Sequence, residues 1–323
     1  MNIYFINSSL PFFYATEIQR SSNEQSICFL CPTVSCFTDS EIKYAKKIFS
    51  ELYILDLTRI NIFTVIRHLA FVLYKLKFIK IINLYVGNIG VSFLSLIYNH
   101  LSSNNKFILE DGTSTIPFSE IGIDYYNYNK SSKFKAFHNR YILLKDSVHK
   151  VVSIFDISNK NIQTKKIQLS HPLKDKLSLD NELLILGGPQ LNLNQLTIDV
   201  IEESLTKLIK FHKEKYKIDK VIYKPHPREI KSDINKLINI LDMTLFDEDE
   251  FDIFELYFMN SKKFPRYISS LFPSSSLFVL NNIDSRINLS CVKFDEKHIF
   301  EDHKEETKII AKYTQDFDII NLI

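Results

Sequence analysis

The chain has 323 residues, and its 40 Lys plus Arg against 38 Asp plus Glu leave a formal charge of +2. At about 150 residues per domain this length predicts two domains, and the near balance of charge excludes the strong positive field that holds nucleic acid. Hydrophobic residues at 45% and charged residues at 24% exclude a disordered or fibrous chain. With 26 Phe and 16 Tyr but only 6 Gly, each glycine is expected where the backbone requires one.

In chain order, short apolar runs alternate with helical periods. Strands are predicted over 2–7, 27–31, 53–55, 79–86 and 106–110, with helices near 10–20, 39–50, 61–78 and 90–101. This alternation predicts a parallel sheet with helices on both faces. The start MNIYFINSSLPFF has no basic n-region and no small-residue cleavage site, so a cytoplasmic protein is expected. Cys28 and Cys31 form a CxxC on a predicted strand, where residues three apart point to opposite faces. They are therefore read, with Cys36 and Cys291, as buried structural thiols rather than a zinc site or a disulfide. The uncharged run 81–101 is long enough to span a bilayer, but Gly87, Asn88 and Gly90 break it into strand, turn and helix. The preceding helix is apolar and carries Arg67, His68, Lys75 and Lys77, with Arg59 and Lys80 beside it. A core helix with one solvated basic stripe is the plainer reading, and peripheral contact with the inner membrane surface is the alternative.

Residues 158–180 turn polar and Lys-rich and are read as a linker between domains 1–157 and 181–323. A second alternating series follows. A strand at 182–186 ends at Gly187-Gly188-Pro189, a helix covers 193–215, a strand at 220–223 enters KPHP, a helix covers 232–241, and a short strand lies at 244–246. A last helix is predicted at 301–314. The whole predicts an α/β protein of GT-B type, two Rossmann-like domains whose parallel sheets face each other across a cleft, with ligands at the carboxyl ends of the strands.

Four motifs fall at such ends. Glu110-Asp111-Gly112 follows a strand and offers a carboxylate beside a permissive backbone. Lys224-Pro225-His226-Pro227 places an imidazole on a stiff loop next to an ammonium and ahead of a helix, a combination suited to an anion. Ser274-Ser275-Ser276 opens a helix, as ordinary N-caps or as phosphate-binding hydroxyls. Glu255 lies between the histidine and the serines, where a carboxylate can accept from two ribose hydroxyls or simply face solvent. The acidic run 246–252 reads as a solvated loop rather than a metal site.

In this order and spacing the motifs resemble those of the bacterial sialyltransferases of glycosyltransferase family 52 and the related polysialyltransferases, namely an acidic-acidic-glycine motif, an HP motif and an SS motif. The opening NSSLPFFYATEI, with Ser8 and Ser9, looks like the family's first strand-loop-helix, whose loop lines the acceptor side together with Glu110 and Gly112. PSSSL has three serines, so which two of Ser274, Ser275 and Ser276 match the family's pair stays open. The resemblance implies that Asp111 is the general base and that His226, with Lys224 and Pro225 beside it, meets the departing phosphate. It further implies that two of the serines bind that phosphate and that Glu255 holds the nucleotide ribose, while the Gly187-Gly188 turn lets the nucleotide approach.

The implied reaction is inverting transfer of a sialic acid from CMP-sialic acid to a hydroxyl of lipooligosaccharide or capsule, with no cofactor and no metal. A transferase using another CMP-activated acid, such as Kdo, would use the same phosphate-end residues. A non-catalytic nucleotide-binding scaffold of capsule assembly is the alternative of another class.

Overall fold

A computed structural model describes the chain except residues 34–36, 60, 113–115, 117–147, 159–161, 170–171, 173, 189–195, 227–228, 247–252, 294–308, 311, 313, 315–316 and 322–323. The chain divides into two units. The first comprises Met1–Gln168 with Glu250–Leu256, and the second Leu169–Asp249 with Tyr257–Ile323.

The first unit contains β1 (Asn2–Ile6), α1 (Ser9–Arg20), β2 (Ser26–Leu30), α2 (Asp39–Ile48), β3 (Glu51–Ile54), α3 (Ile62–Leu76), β4 (Asn83–Val86), α4 (Ser92–His100), β5 (Asn105–Leu109), β6 (His149–Ser153) and β7 (Ile162–Lys166). Its seven strands run in the order β3-β2-β1-β4-β5-β6-β7 and every pairing is parallel. The wealth of Phe and Tyr is spent on ladders across this sheet. On one side Phe5, Phe29 and Tyr53 stack on successive strands at 4.6 and 5.4 Å between centroids. On the other, Tyr4, Tyr85 and Phe107 stack at 4.7 and 5.0 Å. Register partners on neighbouring strands place the rings side by side, so each face of the sheet is pinned by aromatic pairs. At the start of α2, Thr38 and Glu41 form a reciprocal capping box.

The second unit contains β8 (Ser178–Leu186), α5 (Ile198–Tyr216), β9 (Lys220–Lys224), α6 (Lys231–Leu241), β10 (Thr244–Leu245), α7 (Phe254–Asn260, begun in the first unit), β11 (Lys263–Ser270), α8 (Ser275–Ile283), β12 (Asn288–Lys293) and β13 (Asp318–Asn321). The sheet order is β10-β9-β8-β11-β12-β13, again parallel throughout. Leu183, Ile185, Leu205, Leu208, Val221 and Tyr223 are among the residues of its core. Within that core His212 is buried with its Nε2 3.1 Å from Ser290 Oγ and its Nδ1 3.0 Å from the Leu208 carbonyl, and burial lowers its pKa. It is a neutral, fully engaged structural group.

The architecture is an α/β fold with two parallel sheets, one in each unit, as the sequence predicts. Residues 158–180, expected as a linker, instead include β7 and the start of β8. β7 reads IQTKK and buries only Ile162, so its composition is that of a linker although it closes the edge of a sheet. Glu255, expected in the second domain, groups with the first unit. The helix expected at 301–314 and the acidic run after Phe246 lie for the most part outside the described residues.

Candidate functional site

In doubly wound sheets, ligands collect at the carboxyl ends of the strands where the order reverses. The reversal falls between β1 and β4 in the first sheet and between β8 and β11 in the second. Each end holds a polar cluster.

In the first unit Asp111 directly follows the buried Glu110 at the end of β5 and is half-buried. Ser8 Oγ donates to its Oδ1 at 2.8 Å, and Asn88 Nδ2 donates to its Oδ2 at 2.5 Å. Ser8 is the N-cap of α1, yet its hydroxyl makes no cap bond, because it is turned to Asp111. The carboxylate therefore sits by the positive end of a helix whose first turn has no acidic residue. Asn88 is oriented in turn, since its Oδ1 accepts from Gly90 N at 2.7 Å and its own N–H donates to Asn7 Oδ1 at 3.0 Å. A Cβ at Gly87 would stand 2.5 Å from that Asn7 oxygen, which is why the turn needs glycine there. Gly112 has φ of 76°, in the region that favours glycine, so the chain turns sharply just after the carboxylate. Ser9, by contrast, is an exposed first residue of α1.

Beneath Asp111, Glu110 is fully buried. Its Oε1 accepts from Tyr14 Oη at 3.1 Å, and its Oε2 accepts from Ile154 N at 3.0 Å and from Ser153 Oγ. Burial pushes its carboxyl up to about 8, against the pull of those donors, and the neighbouring Asp111 adds to the rise. Tyr14 is also held neutral, chiefly by burial, then by the charges of Glu110 and Glu255. Glu255, itself buried, is thus an electrostatic neighbour of this cluster rather than a solvated helix residue.

In the second unit Gly187-Gly188, Lys224-Pro225-His226 and the serines follow β8, β9 and β11, which are adjacent. Lys224 is buried, with its Nζ 5.5 Å from the centroid of Phe246. The loop after β9 is organised by Glu229. Its Oε2 accepts from the His226 backbone N–H at 2.6 Å, its Oε1 accepts from Tyr223 Oη at 2.7 Å, and the backbone N–H of Gly188 donates to the same carboxylate. Burial raises the pKa of Glu229. A Cβ at Gly187 would meet Glu229 Oε2 at 2.2 Å and Tyr223 Oη at 2.8 Å. The room that Gly187 provides is used by this carboxylate, not left open for a nucleotide as the sequence suggests.

Ser274 is the N-cap of α8, and its hydroxyl makes no cap bond. The Oγ is buried and has no hydrogen-bond partner among the described residues. Ser275 and Ser276 form the first turn of the same helix. No group of three or more His, Cys, Asp and Glu that can hold a metal occurs among the described residues. Cys28, Cys31 and Cys291 are buried free thiols, as expected, and Cys36 lies outside the described residues.

Sequence reasoning missed Asn88 and Glu229, the residues that orient Asp111 and the His226 loop. Asn88 carried only a turn signal, and Glu229 is one more acid three residues past a histidine.

No protein-family model matches the sequence, and no curated protein does. Among solved structures, the chain is similar in fold to a glycosyltransferase from Rickettsia africae ESF-5, with a TM-score of 0.50 and 12% identity over 91% of this chain and 79% of that one. It also aligns with a UDP-GlcNAc 2-epimerase from Neisseria meningitidis bound to UDP-GlcNAc, with a TM-score of 0.43 and 12% identity over 98% of this chain and 91% of the other.

Proposed function

We propose that this chain is an inverting, metal-independent glycosyltransferase that moves a sialic acid from CMP-sialic acid to a hydroxyl of a cell-surface glycan, lipooligosaccharide or capsule. Ser274 carries the proposal: a buried hydroxyl with no partner among the described residues, at the start of a nine-residue helix, is a receptor for an anion. Lys224 and His226 on a nearby strand end add cationic and donor capacity, a set that suits one departing phosphate. A sugar linked to CMP leaves such a monophosphate, whereas diphosphate leaving groups more often call for a divalent metal. The glycosyltransferase named from Rickettsia africae, with its similar fold, favours sugar transfer. The order of the EDG, KPHP and serine motifs, resembling family 52, favours the CMP-linked donor.

In the proposed reaction the bond from the anomeric carbon to the CMP phosphate oxygen breaks as a new bond forms to the acceptor oxygen. Asp111 takes the acceptor proton, and the donors Ser8 and Asn88 hold its carboxylate in place for that transfer. The phosphate keeps the electron pair of the broken bond and is stabilised by Lys224, His226, the serine hydroxyls and the amides of α8. Glu255 holds the nucleotide ribose.

The test is release of CMP from CMP-sialic acid, with a lipooligosaccharide acceptor and excess EDTA present. The wild type should turn over, Asp111→Asn should lose transfer while still binding CMP, and Ser274→Ala should weaken CMP binding. Transfer by Asp111→Asn at near wild-type rate overturns the base assignment, and abolition by EDTA with rescue by magnesium overturns the metal-independent chemistry.

A further inference from the structure

The face that α3 turns away from its sheet is apolar. His68, Val72 and Leu76 point inward and are buried. Outward lie Phe63 at 80% exposure, Ile66 at 57%, Leu73 at 60% and Tyr74 at 75%, and Phe78 just past the helix is 90% exposed. With the exposed Ala70 between Ile66 and Leu73, successive positions lie three or four residues apart and share one side of the helix, with Arg67 and Lys77 among them, where a surface helix ordinarily carries charge of both signs. The charges that do occur are of one sign. From Leu57 to Leu109 the sequence has no Asp or Glu, while Arg59, Arg67, Lys75, Lys77 and Lys80 are on or beside the helix. Arg67, Lys77 and Lys80 are exposed, and Lys75 lies over the ring of Tyr53 at 4.6 Å. The nearest acids in sequence are Glu51, which accepts from Tyr53 Oη, and Asp56, which accepts from Thr58.

We infer that α3 docks this protein on an anionic lipid surface, lying in the interface with its apolar stripe among the acyl chains and its cations among the headgroups. No helix among the described residues is long and apolar enough to cross a membrane, so the contact is peripheral. Charge decides the occupant. A second copy would bring a like-charged face against this one, and a nucleic acid would have no use for exposed Phe, Ile and Leu. A bilayer rich in phosphatidylglycerol matches both the sign and the grease.

Vesicle co-sedimentation tests this with the full chain. It should pellet with phosphatidylcholine vesicles containing phosphatidylglycerol, and not with pure phosphatidylcholine. Raising salt should weaken binding, since each basic charge contributes about fivefold at low ionic strength. The exposed double substitution Phe63→Glu with Leu73→Glu should cut binding by about tenfold or more and leave the unfolding midpoint unchanged. Arg67→Glu with Lys77→Glu should do the same through charge alone. Equal binding to neutral and anionic vesicles, no binding at all, or unaltered binding by both double variants overturns the inference. So does a wild-type dimer that Phe63→Glu with Leu73→Glu turns into a monomer without any vesicle binding, because the stripe then serves a second copy.

Discussion

Glu110 couples pH to the stability of the first unit. Its carboxyl ionises near 4.5 in an open chain and is pushed up to about 8 in the fold, with burial as the main cause. The fold therefore favours the protonated form. The associated stability is fully present below 4.5 and is lost as pH rises through 8, because above that value the folded protein carries a buried carboxylate. At about 1.4 kcal/mol per pKa unit the gap sets an upper limit of about 5 kcal/mol. Glu110→Gln fixes the neutral form in the same place. Its carbonyl can take the position of Oε2 and accept from Ile154 N and Ser153 Oγ, while its amide faces the Tyr14 oxygen. Urea unfolding followed from about pH 5 to about pH 9 should show the wild type losing at least ~2 kcal/mol more than the Gln variant, with the divergence growing between the two pKa values. Parallel curves for the two proteins would refute a carboxyl kept neutral by burial.

Two further outcomes follow from the same geometry. Gly187→Ala should lose about 2 kcal/mol in urea unfolding, the scale of one hydrogen bond to a buried charged group, since the new Cβ must displace the carboxylate of Glu229; an unchanged midpoint would show that Glu229 has another place to go. Iodoacetamide on the native protein should spare Cys28, Cys31 and Cys291, all buried. Burial pushes the thiol of Cys291 up to about 12 and those of Cys28 and Cys31 well above the usual range. Mass mapping of native and urea-treated samples should show these three alkylated only after unfolding.

The central strands are legible in the sequence where they are buried on both faces and read as apolar runs: β1, β2, β5, β9 and the apolar end of β8 appear where the hydrophobicity places them. The edge strand β7 is not, since a strand half open to water keeps the lysines of a linker. In the candidate site, Ser8 and Asp111 were legible as strand-end residues, but their bond joins positions 103 apart in sequence. No local spacing encodes that contact. Asn88 escapes for the same reason, because Asp111 lies on another strand end, and Glu229 escapes because its bond to Gly188 comes from a neighbouring strand end while its ties to Tyr223 and His226 carry no motif. Glu255 shows the reverse failure, in which a motif position is named correctly as an acid while its environment, buried and near Tyr14, depends wholly on the tertiary fold.

The carboxylate of Glu229 ties together the loops that follow two neighbouring strands, and it occupies the volume that a side chain at 187 would need. Positions 187 and 229 are therefore one variable for anyone redesigning this site. An alanine at 187 pairs best with a shorter acid at 229, such as Asp, and a glutamate at 229 pairs best with glycine opposite it. A library that varies the two positions together changes the loops around His226 while keeping its backbone N–H anchored.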